Sequence, residues 1–165
     1  LGVAIRYSAE AEPLETAGGI ASALPLLGAA PFLVTNSDIH ADFDYARLLP
    51  VLRAMADNAD HLAHLVLVDN PPQHAGGDFV LEAGRVRDRA GPEDAAAMQT
   101  FSGIGCYRPE LFAGIEPGTK ARLAPLLRAA MARGQVTGEH HAGRWRDIGT
   151  PERLAALDKE LEHAT

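Results

Sequence analysis

Cysteine occurs once in the 165 residues, at Cys106. A lone cysteine excludes an internal disulfide and fits a reducing, cytoplasmic compartment. Nothing near it activates a thiol, so it reads as a small core hydrophobe. Lysine occurs only twice, at Lys120 and Lys159, in a chain of net charge −7. Nucleic-acid binding rests on clustered Lys and Arg, so this balance argues against such a partner. A phosphate-handling site here has to draw on metal, arginine, backbone N–H groups, or basic residues from outside this segment. No apolar run approaches a membrane span and no secretory signal is visible, so no membrane partner is expected. There is no Gly-x-Ser-x-Gly elbow to supply a hydrolase nucleophile, and none of the seven histidines sits in a ligand motif such as His-Glu-x-x-His. Internal repeats, low-complexity tracts and composition shifts are also lacking. Residues 1–165 therefore read as one domain, whose start at Leu1 rather than Met is not expected to be the natural N-terminus.

What is present centres on Pro31-Phe32-Leu33-Val34-Thr35-Asn36-Ser37-Asp38. The run Phe32–Thr35 predicts a short strand buried on both faces, as an inner parallel strand is. It stops in polar residues, and in open α/β sheets ligands bind beyond the carboxyl ends of the strands. Asp38 either holds a ligand there or merely turns the chain; position alone does not choose. His64–Val68 repeats the pattern, ending in Asp69-Asn70-Pro71-Pro72.

Around these, Val3–Tyr7 predicts a first strand, and Thr16 with Gly18-Gly19 a loop whose N–H groups are exposed ahead of a helical run Ile20–Leu27. Tyr45, Leu48, Leu49, Leu52 and Met55 fall on one helical stripe capped by Asp44. Asp78–Leu81 and Gly84–Val86 predict short strands around a Glu82-Ala83-Gly84 turn, and residues 87–97 a surface excursion. Met98–Tyr107 resumes as a strand whose small residues Ser102, Gly103 and Gly105 let something approach the backbone. Leu123, Leu126, Leu127, Ala130 and Met131 stripe a second helix ending at Gly134. Val136–His141 is a further strand. Trp145–Pro151 then turns into a last helix with Thr150 at its cap and Leu154, Leu157 and Leu161 as its buried face. The whole predicts an α/β domain with an antiparallel elaboration.

The side chains left to carry chemistry are acidic. Asp38 and Asp69 end strands, Asp78 opens one, and Asp147 stands before a tight Gly-Thr-Pro turn. Carboxylates from distant segments suit Mg²⁺, which takes one or two of them with phosphates and water; caps and turns use the same residues.

These stretches together resemble the sugar-1-phosphate nucleotidyltransferases. The matching segments are Arg6-Tyr7-Ser8, Pro13–Gly19, Val34–Asp38, His64–Pro71, Gly77-Asp78-Phe79, Thr100–Ile104, Leu123–Leu127 and Trp145–Leu154. Val-Asp-Asn-Pro and Thr-Phe-Ser-Gly-Ile are most similar to the N-acetylmuramate-1-phosphate uridylyltransferases of bacterial cell-wall recycling. The resemblance implies a Rossmann-like (GT-A-like) three-layer α/β sandwich with a mixed, mostly parallel sheet. It also implies Mg²⁺-dependent uridylyl transfer from UTP to a sugar 1-phosphate. Asp38 and Asp147 would hold Mg²⁺. Asn36 and Asp78 would contact the sugar phosphate, with Asn70, Thr100, Ser102 and Gly103 beside them. Glu15, Thr16, Ala17, Gly18 and Gly19 would lie against the nucleotide. The pattern departs from the family in three places. The family's opening strand, Gly-x-Gly-x-Arg loop and downstream lysine are not in this sequence, so the N-terminal strands are expected to be missing and the segment inactive alone. Ser37 replaces the glycine of Asn-Gly-Asp. A Glu-Lys-Pro motif is absent, which speaks against guanylyl and thymidylyl branches. A mannose-1-phosphate guanylyltransferase and a non-catalytic sugar-nucleotide-binding module are the alternatives.

Overall fold

A computed structural model describes residues 2–162; Leu1, and the reading of the chain's start that rests on it, lie outside them. After irregular residues 2–14, helix α1 (Glu15–Leu27) leads to strands β1 (Phe32–Thr35) and β2 (Ile39–Ala41). A 3-10 turn at Tyr45–Leu48 runs into α2 (Leu49–Asp57) and then β3 (Ala63–Val68). The hairpin β4 (Phe79–Glu82) and β5 (Arg85–Arg87) precedes the long β6 (Met98–Tyr107). Helix α3 (Leu123–Met131), β7 (Val136–His140), β8 (Trp145–Asp147) and α4 (Pro151–Glu162) complete the order.

Six strands form one sheet in the order β1-β6-β3-β7-β5-β4, with β4 also meeting the start of β6, and β2 and β8 form a separate ribbon. Strand β3 is buried along its whole length because it lies between β6 and β7. Its side chains alternate between two cores: Leu65 and Leu67 join Ile20, Leu123 and Leu127, while Val66 joins Leu48, Met55 and Ile104. Helices α1 and α3 thus cover one face and α2 the other, giving three layers. Each buried Leu or Val of β3 contributes about 1.5–3 kcal/mol of transfer free energy.

Several sequence expectations are corrected. The sheet is mixed and largely antiparallel, not mostly parallel: only β3 and β7 run parallel, while β1, β3 and β4 each pair with β6 antiparallel. An apolar run reports burial on both faces, which a central strand has whatever its direction. Strand β1 is not an inner parallel strand; it ends the sheet's order, and of its four residues only Phe32 is buried. Val3–Tyr7 forms no strand, and Val3, Ile5 and Tyr7 stand exposed. Glu15–Gly19 is not a loop but the first turn and a half of α1. Asp44 caps the 3-10 turn by accepting from Ala46 N at 3.0 Å, but Tyr45 and Leu49 of the expected stripe are exposed. In α4 only Leu157 is buried; Leu154 and Leu161 are exposed. The excursion at residues 87–97 has an anchor the sequence did not reveal. Buried Asp94 takes both arms of the Arg87 guanidinium at 2.8 Å, which holds its carboxyl well below the usual carboxylate range.

Candidate active site

Asp38 and Asp147 are more than a hundred residues apart and are brought together by the two-stranded ribbon. Strand β2 pairs antiparallel with β8 so that Ile39 faces Asp147, and Ile148 N donates to the Asp38 carbonyl at 2.9 Å. The two carboxylates converge on Gly149: a Cβ there would lie 3.0 Å from Asp38 Oδ2 and 3.2 Å from Asp147 Oδ1. Only glycine leaves that space open. Asp147 Oδ1 accepts from Gly149 N at 2.9 Å, and its Oδ2 accepts from the Arg153 guanidinium. Arg153 is placed by the start of α4, where its N–H donates to Thr150 Oγ1 at 3.3 Å.

The facing wall is a bulge in β6. Along β3 the register passes from Leu65 opposite Gly105 to Leu67 opposite Phe101, so Ser102, Gly103 and Ile104 all face Val66. Gly103 bears the bend at φ 83°. A Cβ there would lie 2.9 Å from Asn36 Cγ, and Asn36 N donates to the Gly103 carbonyl at 2.9 Å. Ser102 is spent internally: its Oγ accepts from Ile104 N at 3.1 Å and its carbonyl accepts from Trp145 Nε1 at 2.9 Å. That last bond ties the ribbon to the sheet. Thr100 Oγ1 donates to Asn70 Oδ1 at 2.8 Å, and Asn70 Nδ2 donates to the Met98 carbonyl at 2.9 Å.

Asn36, Asp38, Thr100, Ser102, Gly103 and Asp147 therefore line one cleft of about 190 Å³, together with Gln73, His74, Phe101 and Trp145. It opens at the carboxyl end of β3, where the sheet topology places ligands. Asn70 does not line it; it holds Thr100 and the loop that follows β3. A neighbouring cavity of about 290 Å³ unites Glu15 and Thr16 with Asn36 and Asp78. Asp78 uses both oxygens: Oδ1 lies 3.0 Å from His74 Nε2 and Oδ2 accepts from Phe101 N at 2.9 Å. Of the N–H groups expected to be free at Thr16–Gly19, those of Ala17 and Gly18 are taken. Ala17 N and Gly18 N both donate to the Ala121 carbonyl at 3.1 Å, and both residues are buried. Gly19 sits where a Cβ would be 2.6 Å from Glu10 Oε1.

Arg153 and His74 carried no signal in the sequence. Arg153 lies six residues from Asp147, a spacing that no regular element brings together, and His74 sits in a loop without periodicity. Four further histidines among the described residues do not line the cleft. His140 Nε2 is 2.9 Å from Asp69 Oδ1, and buried His141 faces Asp42. His61 and His64 share the Thr137 hydroxyl at 2.6 and 2.7 Å. Burial lowers both, His64 to about 4. Burial, with Glu139 nearby, pushes the Cys106 thiol up to about 12, so it stays protonated in the core. Among the described residues no three His, Cys, Asp or Glu side chains converge on one point, and no helix is long and apolar enough to cross a membrane.

Known proteins share this architecture. The chain is 48% identical over 155 residues to an N-acetylmuramate alpha-1-phosphate uridylyltransferase of Neisseria meningitidis, covering 93% of this chain and 65% of that protein. It is 29% identical over 154 residues to a mannose-1-phosphate guanylyltransferase catalytic subunit beta of Dictyostelium discoideum, covering 92% of this chain and 42% of that one. The chain thus spans less than two thirds of these relatives. Its fold matches a UDP-glucose pyrophosphorylase solved with UDP-glucose at a TM-score of 0.67 and 16% identity, over 94% of this chain and 65% of the other. With the nucleotidyl transferase family model matched along residues 1–164, the chain belongs to that family.

Proposed function

We propose that this chain carries the sugar-phosphate and metal half of a uridylyltransferase that joins UTP to N-acetylmuramate 1-phosphate. The products are UDP-N-acetylmuramate and pyrophosphate, and the place is peptidoglycan recycling in the cytoplasm. The observation that carries this reading is the convergence of Asp38 and Asp147 on the space beside Gly149, in a chain 48% identical to a relative of that name.

Two carboxylates with an open third side fit Mg²⁺, which takes few protein ligands and fills the rest with phosphate oxygens and water. When bound by Asp38 and Asp147, it supplies neutralisation of the phosphate charge that builds as pyrophosphate leaves. The reaction needs no general base. An ionised oxygen of the sugar 1-phosphate forms the new bond to the α-phosphorus of UTP, and the bond from that phosphorus to the oxygen of the leaving pyrophosphate breaks in line. The protein's part is alignment. Asn36, held over Gly103, and the bulge Ser102–Gly103 wall the sugar side. Arg153 fixes the Asp147 carboxylate and adds positive charge beside it. Glu15, Thr16 and Asp78 bound the adjoining cavity, on the nucleotide side, and Asn36 lines both it and the cleft.

Pyrophosphate release by the full-length protein with Mg²⁺ tests this. UTP with N-acetylmuramate 1-phosphate is expected to turn over faster than GTP with mannose 1-phosphate. A faster second pair would transfer the reading to the guanylyltransferases, and no release with either pair would leave the non-catalytic alternative.

A further inference from the structure

N-acetylmuramate differs from N-acetylglucosamine by a lactyl ether that adds a carboxylate to the sugar. With Mg²⁺ offsetting Asp38 and Asp147, the substrate phosphates still leave the cleft negative, so the added carboxylate is best received where a protein cation meets it. Among the cleft's lining residues only His74 can carry positive charge. The nearby arginines are committed elsewhere: Arg122 lines the adjoining cavity 3.7 Å from Glu15. Arg146 and Arg153 line a cavity behind Trp145 and pair with Glu160 and Asp147.

His74 is built into position. It ends the turn Pro72–His74, entered through Pro71, where His74 N donates to the Pro71 carbonyl at 2.8 Å. The loop is pinned below by Asn70 Nδ2, which reaches the Ala75 carbonyl at 3.3 Å. Its Nε2 is held 3.0 Å from Asp78 Oδ1, and Asp78 is fixed in turn by Phe101 N. With Nε2–H committed to a carboxylate, the ring presents Nδ1, which has no protein partner among the described residues. An imidazole donates through Nδ1 as well only when it is protonated. A carboxylate at Nδ1 would complete a carboxylate–imidazolium–carboxylate arrangement, each bond charge-assisted.

Resting on the uridylyltransferase reading above, we propose that His74, positioned by Asp78, receives the lactyl carboxylate and is the residue that distinguishes N-acetylmuramate 1-phosphate from N-acetylglucosamine 1-phosphate. On this account the Asp78 carboxylate serves the sugar through His74.

Binding of both sugar phosphates to the full-length protein with Mg²⁺, by calorimetry, gives a discrimination ratio for wild type, His74→Gln and Arg153→Gln. The ratio is expected to fall fivefold or more in His74→Gln. A smaller fall, or a larger one in Arg153→Gln, overturns the assignment. Nitrogen NMR of the wild-type protein reads the same point without a variant. His74 is expected to take the doubly protonated signature with N-acetylmuramate 1-phosphate and not with N-acetylglucosamine 1-phosphate; the same signature with both overturns the assignment. Turnover of N-acetylmuramate 1-phosphate with UTP is measured alongside. A wild type that turns it over while His74→Gln keeps its ratio refutes only the His74 role, and a wild type that does neither refutes the uridylyltransferase reading with it.

Discussion

Gly149 works through the side chain it lacks. A methyl group there would press on Asp38 Oδ2 and Asp147 Oδ1, so Gly149→Ala is expected to weaken Mg²⁺ binding at least tenfold, read by calorimetry, with little change in melting temperature. Asp38→Asn and Asp147→Asn remove the charges themselves, and each is expected to cut turnover by orders of magnitude while the far-ultraviolet circular dichroism stays the same. Near-full activity in both variants would refute the metal assignment. Gly103 is different in kind: its φ of 83° and the Asn36 side chain over it mean that Gly103→Ala strains the backbone as well as the site. A loss of about 1–3 kcal/mol in urea unfolding is expected together with lost activity. His64 sets a pH dependence of stability. Burial lowers it from 6.5 to about 4, so between those values the unfolded chain binds a proton that the folded chain excludes. Stability is full above about pH 6.5 and declines as pH falls toward 4, by about 3 kcal/mol at most. His61 is shifted the same way and adds to the slope. Urea midpoints at pH 7 and pH 4.5 check this, and His64→Gln is expected to flatten the difference.

At the scale of elements, the sequence marked where segments run more reliably than how they pair. The buried stripe of α3 and the run Leu65–Val68 of β3 were legible because burial leaves a periodic or continuous apolar trace. Strand direction leaves none, which is why a largely antiparallel sheet reads as parallel. The Gly pair of α1 is ambiguous for a related reason: glycine marks close approach without naming what approaches. At Gly18 it is protein backbone, since a Cβ there would lie 2.3 Å from the Thr119 carbonyl oxygen and 3.1 Å from Ala121 N, and at Gly19 it is the Glu10 side chain. Helix α1 docks there through Ala17 N and Gly18 N, and Ala121 N returns a bond to the Leu14 carbonyl at 2.9 Å. Gly18→Ala is therefore expected to destabilise the fold by about 1–3 kcal/mol through overpacking against rigid backbone, measured by denaturant unfolding. If it left stability unchanged and abolished only nucleotide binding, this glycine would belong to the ligand.

Across the whole molecule, two cores on opposite faces of one sheet hold β3 and β6 fixed, and the cleft forms where β3 ends and β6 bulges. Asp38 and Asp147 were legible in the sequence as acidic groups at a strand end and before a tight turn. Their meeting was implied only by the family resemblance and not by any pattern of the residues, because it depends on the β2–β8 ribbon, whose three-residue strands carry too few residues for one. Arg153 and His74 were hidden for the same reason: His74 lines the cleft and Arg153 reaches Asp147 from behind it, each by a turn rather than by periodicity. The central claim is that the cleft between this ribbon and the bulge holds the two phosphates joined in the reaction. A crystal structure of the full-length protein with UDP-N-acetylmuramate and Mg²⁺ tests it most directly. The account predicts the diphosphate and metal beside Gly149, within reach of Asp38 and Asp147, with the sugar against Asn36 and Gly103. A product bound elsewhere, or bound with neither carboxylate facing the metal, would contradict it.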